Sequence, residues 1–170
     1  MGISNVTASK YLNILAGMFM IRILSPWYEN LKKRQIKSPK IYFRDSGILH
    51  ALLGLKNKND ILSHPKLGSF WEGFALEEVI RILGISAEDC YFWGTQSNAE
   101  LDLMIFKNNK KIGFEIKYTE HLSVTNSMKI SISNLQLDHL YLIYPGKDMF
   151  KLSSSITAIS LEKIIELKNI

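Results

Sequence analysis

Glu115 and Lys117 stand two residues apart in a segment, Ile112 to Tyr118, that alternates between apolar and polar residues. In an extended strand this sends Ile112, Phe114, Ile116 and Tyr118 to one face and Gly113, Glu115 and Lys117 to the other, so the carboxylate and the ammonium are neighbours. The preceding segment, Glu100 to Phe106, alternates as well: Leu101, Leu103 and Ile105 share one face, and Asp102 lies opposite with Glu100 and Met104. Asn108-Asn109 between the two is a hairpin signal, which makes the strands antiparallel and brings Asp102 within reach of Glu115. A third carboxylate comes from the helix that begins near Phe70. At about 100° per residue, Glu72 falls among Ala75, Leu76, Val79 and Leu83 in the apolar face. Glu77, Glu78 and Arg81 fall toward the polar side, where Glu77 and Arg81 have pairing distance i, i+4. A carboxylate aimed into a packed face costs on the order of several kcal/mol unless a cation or hydrogen bonds compensate it.

An oxygen-rich set of Glu72, Asp102 and Glu115 suits Mg²⁺ or Mn²⁺ as the cofactor. Such a metal binds a phosphate oxygen and acidifies a coordinated water, while Lys117 orients that water or stabilises charge building on phosphorus. Glu72, Asp102, Glu115 and Lys117 are therefore the expected catalytic set, and hydrolysis of a phosphodiester is the expected reaction. The competing reading, an exposed strand face with a Glu115–Lys117 salt bridge worth about 1 kcal/mol or less, leaves Glu72 without an explanation. Glu100 is expected to be a solvated rim charge, and Trp71, Phe74 and Trp93 to be core.

The elements that must position these groups read as mixed α/β. Ser4 or Asn5 caps a helix that Gly17 ends, with Val6, Leu12, Leu15 and Met18 at helical spacing. Phe19 to Leu24 is β-rich, and a basic stretch with Lys32, Lys33, Arg34 and Lys37 leads to a second strand, Lys40 to Arg44. A helix followed by two strands with a basic loop looks like part of a winged helix. In that arrangement Thr7, Ser9 and Lys10 on the helix, with Lys32, Lys33, Arg34, Lys37 and Lys40, would contact DNA. Gly47 to Leu55 reads as a short helix behind an Asp45-Ser46-Gly47 turn, and Lys56 to Gly68 as a connector. The helix from Phe70 to Leu83 follows, then strands near Tyr91 to Trp93, Glu100 to Phe106, Ile112 to Tyr118 and His139 to Tyr144. A helix is expected within Ser123 to Asn134 and another over Leu161 to Lys168. The implied division is residues 1–55, a partial winged-helix-like basic segment; 56–68, a linker; and 69–170, a domain that carries the carboxylates.

Charge follows the same division. The first 68 residues hold eleven Lys or Arg against Glu29, Asp45 and Asp60, a net of +8, and the remaining 102 carry a net of −3. The asymmetry suggests that the N-terminal part faces a polyanion. The single cysteine, Cys90, excludes an intramolecular disulfide and a cysteine-rich zinc site, and it lies in an apolar run suited to the core. His50, His64, His121 and His139 lack zinc-site spacing. No apolar run approaches about 18 residues, so neither a membrane span nor a signal peptide is expected, and a cytoplasmic location is.

Asp102 followed after twelve residues by Glu115-Ile116-Lys117 resembles the D…ExK signature of PD-(D/E)xK nucleases, and Gly68-Ser69-Phe70-Trp71-Glu72 resembles the GxxxE helix start that supplies their additional acid. Leu101 precedes Asp102 where that superfamily often has proline. The resemblance implies a restriction-endonuclease-like mixed sheet flanked by helices. More extensively, the chain is similar to the region that follows the ATPase module in a family of archaeal and bacterial AAA-type ATPases. The matching stretches are Thr7 to Leu12, Lys37 to Gly47, Trp71 to Phe74 and Ala99 to Asp102. The phosphate-binding GxxxxGK[ST] loop of that module is absent from this sequence, so no ATP hydrolysis by that route is expected here. Two functions follow: a metal-dependent DNA nuclease joined to an ATPase module outside this chain, or a non-cutting module that binds DNA, the ATPase or a second copy of itself.

Overall fold

A computed structural model of the chain describes residues 2, 4–28, 38–96 and 99–168. The element order is mixed α/β, as the sequence implies, and its centre is one eight-stranded sheet flanked by helices. Helix α1 (Asn5–Gly17) is capped by Ser4, whose hydroxyl accepts the Thr7 N–H at 3.2 Å. Strands β1 (Ile21–Pro26) and β2 (Lys40–Phe43) pair antiparallel, Leu24 opposite Lys40 and Ile21 opposite Phe43. Lys32, Lys33, Arg34 and Lys37 lie outside the described residues. The Asp45 carboxylate accepts the Ile48 N–H and starts α2 (Ser46–Leu52), the turn-and-cap role its position suggests.

The stretch 56–68 is more than a connector. Asn57 and Asp60 form a reciprocal capping box that supports α3 (Lys58–Leu62), and the next helix, α4 (Leu67–Leu83), begins three residues before Phe70. Asn57, one of the residues that suggested a loop there, satisfies an orphan N–H group at a helix start equally well. Gly84 takes the left-handed conformation, φ 63°, that ends α4. Strands β3 (Cys90–Gly94), β4 (Glu100–Lys107) and β5 (Lys110–Ile116) follow. Asn108 and Asn109, φ 47° and 64°, turn β4 into β5 in the expected antiparallel hairpin. Helix α5 (Asn126–Leu135) and β6 (His139–Tyr144) come next. Two further strands, β7 (Met149–Lys151) and β8 (Ile156–Ser160), were not legible as a pattern. β8 is buried along its whole length, so it shows no alternation. The last helical segment, Leu161–Leu167, is a 3₁₀ helix.

The sheet order is β2-β1-β3-β4-β5-β6-β8-β7, with β1–β3, β5–β6 and β6–β8 parallel and the remaining pairs antiparallel. Ser25 and Pro26 pair with Tyr91 and Phe92, and the Trp27 N–H donates to the Phe92 carbonyl at 2.7 Å, so the N-terminal hairpin extends the sheet that holds the carboxylates. One face of the sheet packs on α4 and the 3₁₀ helix through Leu76, Val79, Phe92, Leu103, Phe114 and Ile159. The opposite face packs on α5 through Trp93, Leu101, Met104, Met128 and Leu140.

This partition corrects the reading of β4. Leu101 belongs with Met104 on the α5 side, and Leu103 and Ile105 lie on the α4 side. The register between β3 and β4 shifts between Tyr91↔Met104 and Trp93↔Leu101, a β-bulge that inserts a residue into β4 at Asp102–Leu103 and reverses the alternation there. Bulges of this kind re-aim a side chain at the edge of a ladder. Among the described residues, no helix is long and apolar enough to cross a membrane.

Candidate functional site

Four carboxylates and two ammonium groups gather where β2, β4, β5 and α4 meet. Asp102 is at the centre, with only 12% of its side chain exposed. Its Oδ2 accepts the Ile116 N–H at 2.9 Å, so the hairpin ladder, whose last pair is Leu103↔Phe114, is continued by a side chain. Its Oδ1 takes the Lys40 ammonium at 3.3 Å. Lys40 Nζ is also 3.4 Å from Glu72 Oε1, is ion-paired with Glu100, and stands 5.6 Å above the Phe92 ring. The Tyr42 hydroxyl donates to Glu72 Oε1 at 2.6 Å. On β5, Phe114 and Ile116 pack on the α4 side, so Glu115 alternates to the other side, where Lys117 Nζ approaches its Oε1 at 3.4 Å. Asp102 thus stands between a group of Glu72, Glu100, Lys40 and Tyr42 and a pair of Glu115 and Lys117.

Burial sets the electrostatics first, and the crowding of carboxylates second. Burial pushes the Asp102 carboxyl up to about 6, with Glu72 adding and Lys40 and the Ile116 hydrogen bond opposing. Burial pushes the Glu115 carboxyl up to about 8, with Asp102 adding and Lys117 opposing. Burial works against charge on Lys40, yet Asp102, Glu72 and Glu100 outweigh it and hold the ammonium well above its usual value. The Tyr42 hydroxyl is raised by burial and by the Glu72 charge, so it remains a donor.

A pH dependence follows. A carboxyl whose folded value lies above its ordinary one carries no penalty below about 4.5. The penalty grows as pH rises toward 8 and is constant beyond it. Metal-free Glu115→Gln protein is therefore expected to exceed the parent in stability at pH 9 by about 1–3 kcal/mol, with no such advantage near pH 4.5. Urea unfolding at the two pH values checks this; a difference that fails to grow with pH contradicts it.

Glu72, Asp102, Glu115 and Lys117 are thus brought into one region. Lys40 enters it too, in contact with carboxylates, although its place in a basic run suggested a phosphate contact. Glu100, expected at a solvated rim, is partly exposed but is bound to Lys40. Thr7, Ser9 and Lys10 sit on α1, which packs on β1 and has no buried residue; Thr7 turns its hydroxyl to Ser4 at 2.9 Å. Trp93 is core as expected, on the α5 side, and Trp71 packs partly buried against the α4-side core, but Phe74 is 41% exposed.

Glu77 is the other correction. It is not a solvent-side partner for Arg81. Arg22 on β1 grips both its oxygens, Nη2 to Oε2 at 2.9 Å, and Arg44 Nε is 3.5 Å away; Arg81 pairs with Glu78. A hairpin folding over α4 covers a helix face that phase alone assigns to water. Three cations of the N-terminal part, Arg22, Lys40 and Arg44, are therefore engaged with carboxylates of the C-terminal part. Cys90 is buried, and burial raises its thiol to about 11, so it is a core residue and not a reactive thiol.

Among the described residues, no three His, Cys, Asp or Glu side chains stand close enough together to hold a metal ion. The acidic atoms gathered here are carboxylate oxygens; four of them face two ammonium groups, and one of those ammonium groups occupies the oxygens of Asp102, Glu72 and Glu100.

Residues 1–59 match a family model described as a domain of unknown function (DUF8612), and residues 67–164 match a second, also a domain of unknown function (DUF4143). One match ends at 59 and the other begins at 67, both within 56–68, while strands from the two matched regions pair in one sheet. Similar proteins include uncharacterized proteins of Mycobacterium tuberculosis and Mycobacterium bovis, each 41% identical over 163 residues, a stretch that covers 96% of this chain and 36% of the relative. The chain thus spans little more than a third of the length of these relatives. No solved structure matches it.

Proposed function

Because the chain belongs to the DUF4143 family of domains of unknown function, whose designation names no chemistry, we propose a function from the site itself: metal-dependent hydrolysis of phosphodiesters in DNA at Glu72, Asp102, Glu115 and Lys117. The observation that carries the proposal is the surplus of carboxylate around Asp102. Burial and the neighbouring carboxylates hold the Asp102 and Glu115 carboxyls above the ordinary range, a cost that a bound divalent cation would offset. Asp102 and Glu115 would hold Mg²⁺ or Mn²⁺ as two carboxylates among bound waters, with Glu72 in the same region but, among the described residues, not close enough to complete a set of three. When bound, the metal supplies charge stabilisation at the phosphate and a more acidic water.

The protein's own groups supply the rest. Lys117, more than a third exposed, can turn from Glu115 toward a phosphate oxygen as charge builds there. The Ile116 N–H fixes the Asp102 carboxylate, so its orientation does not depend on a flexible partner. Water adds to phosphorus, the bond to the departing ester oxygen breaks, and the proton released by the water ends on that oxygen. DNA would be guided by the winged-helix-like N-terminal part, through Thr7, Ser9 and Lys10 on α1 and the basic residues Lys32, Lys33, Arg34 and Lys37. Domains of this family typically lie at the C-terminus of AAA ATPases. With the greater length of the relatives, this supports a longer protein in which an ATPase module accompanies this domain.

The test is direct. Single-stranded, duplex and branched DNA are incubated with the chain and with Glu115→Gln in Mn²⁺. Product from the parent alone is the expected result; equal product from both, or none from either, overturns the reading. One observation favours a second reading, a module that binds DNA or a protein without cutting: Lys40 already sits among the carboxylates. That reading expects salt-sensitive DNA binding with no product in either metal.

A further inference from the structure

We propose that two copies of the chain associate by exchanging helices, α1 of each lying in an apolar groove along the outer face of α4 of the other. Helix α1 is short of internal packing. It has 13 residues and buries none of them, whereas isolated helices of about 12–15 residues are marginal in water and depend on packing. Leu12 and Leu15 are partly covered, while Tyr11, Ile14 and Met18, on the neighbouring strip, are each more than half exposed. With Thr7 these three recur at i, i+4, i+7 and i+11, the spacing of a helix that presents anchors to a groove.

The groove matches that helix in length and character. Leu67, Trp71, Phe74, Glu78 and Ile82 recur along α4 at the same spacing, and Trp71 and Phe74 line two adjoining depressions of about 270 and 450 Å³. At about 1.5 Å per residue this stripe runs roughly 22 Å, against roughly 20 Å for α1. His50 Nε2 and Trp71 Nε1, on residues that line the smaller depression, are buried without a hydrogen-bond partner. Unpaired polar atoms of this kind are uncommon in a finished fold, and the Tyr11 hydroxyl, which both donates and accepts, suits either of them. Charge points to the same occupant. Among the described residues lining the two depressions, the charged ones are Glu78, itself paired with Arg81, and Glu162. Lys10, beside the exposed strip, is the only charged side chain between Ser4 and Met20. Each copy offers one helix and one groove, so a reciprocal exchange closes the pair. Association through this face takes Thr7 and Lys10 away from DNA, and the two uses of α1 exclude each other.

Sedimentation velocity of the 170-residue chain over a range of concentrations is compared among the parent, Ile14→Asp, Phe74→Asp and an equal mixture of the two variants, with circular dichroism to establish that each is folded. The parent is expected to dimerise with a micromolar dissociation constant, and each variant to associate at least about tenfold more weakly. The mixture is expected to recover part of the lost association, because the intact α1 of Phe74→Asp meets the intact groove of Ile14→Asp. A second measurement needs no variant. On dilution of the parent, the Trp71 indole N–H signal in NMR is expected to move with the same midpoint as dissociation. A monomeric parent, which would leave the groove to a different partner, overturns the proposal. So does a dimer that survives both substitutions, a mixture no better than its components, or a Trp71 signal indifferent to dilution.

Discussion

Lys117→Ala is expected to lower Mn²⁺-dependent DNA cleavage by about 100-fold or more while leaving Mn²⁺ affinity within about threefold of the parent. An ammonium group cannot ligate a metal, and among the described residues Lys117 reaches the site through Glu115, at 3.4 Å. Removing it takes away a positive charge that favours ionised Glu115, which weakens metal binding, and also a like charge that repels the metal, which strengthens it. These effects oppose each other, so affinity should change little. On the proposed reaction the phosphate loses the charge stabilisation of this ammonium, so the rate should fall. Single-turnover cleavage at saturating Mn²⁺, set beside calorimetry, separates the two quantities. A rate equal to the parent's would remove Lys117 from the chemistry. A parallel loss of affinity would make it a residue that positions Glu115.

The second large effect lies outside the site. Arg22→Ala is expected to destabilise the protein by about 3–5 kcal/mol, because it strands a carboxylate that packing has taken out of water. Arg22 is 8% exposed and the Glu77 side chain 12%. Arg44, at 3.5 Å and itself more exposed, retains part of the compensation. Adding Glu77→Leu to Arg22→Ala should recover much of the loss, since an apolar pair does not carry the desolvation of an unpaired charge. Urea denaturation of the single and double variants measures both. A single variant within about 1 kcal/mol of the parent would show that Glu77 is reached by water without Arg22.

Local chemistry was the part the sequence made readable. Alternation in β5 placed Glu115 and Lys117 together, Asn108-Asn109 fixed the hairpin, and helical phase separated Glu72 from Glu78. Each is set by residues within one or two turns or strands of one another. What escaped were the consequences of distant pairing. The bulge in β4 is invisible in Leu101-Asp102-Leu103 because it depends on how β3 aligns. Arg22 and Glu77 are 55 positions apart, and no local pattern connects them. Lys40 and Tyr42 alternate on one face and could have been paired as a polar set, but nothing in the basic stretch tells that β2 closes over α4. For the same reason the charge asymmetry was only partly understood. It suggested cations reserved for a polyanion, whereas Arg22, Lys40 and Arg44 neutralise this protein's own acids.

The parallel pairing of β1 with β3 also governs when the chain can fold. During synthesis the β1–β2 hairpin leaves the ribosome well before Tyr91 and Phe92, the residues that Ser25 and Pro26 must meet. Until then an open strand edge and the apolar side chains Ile21 and Leu24, both destined for the core, have no permanent partner. Such non-local closure slows folding, and the waiting hairpin is the segment most exposed to wrong pairing with another nascent chain.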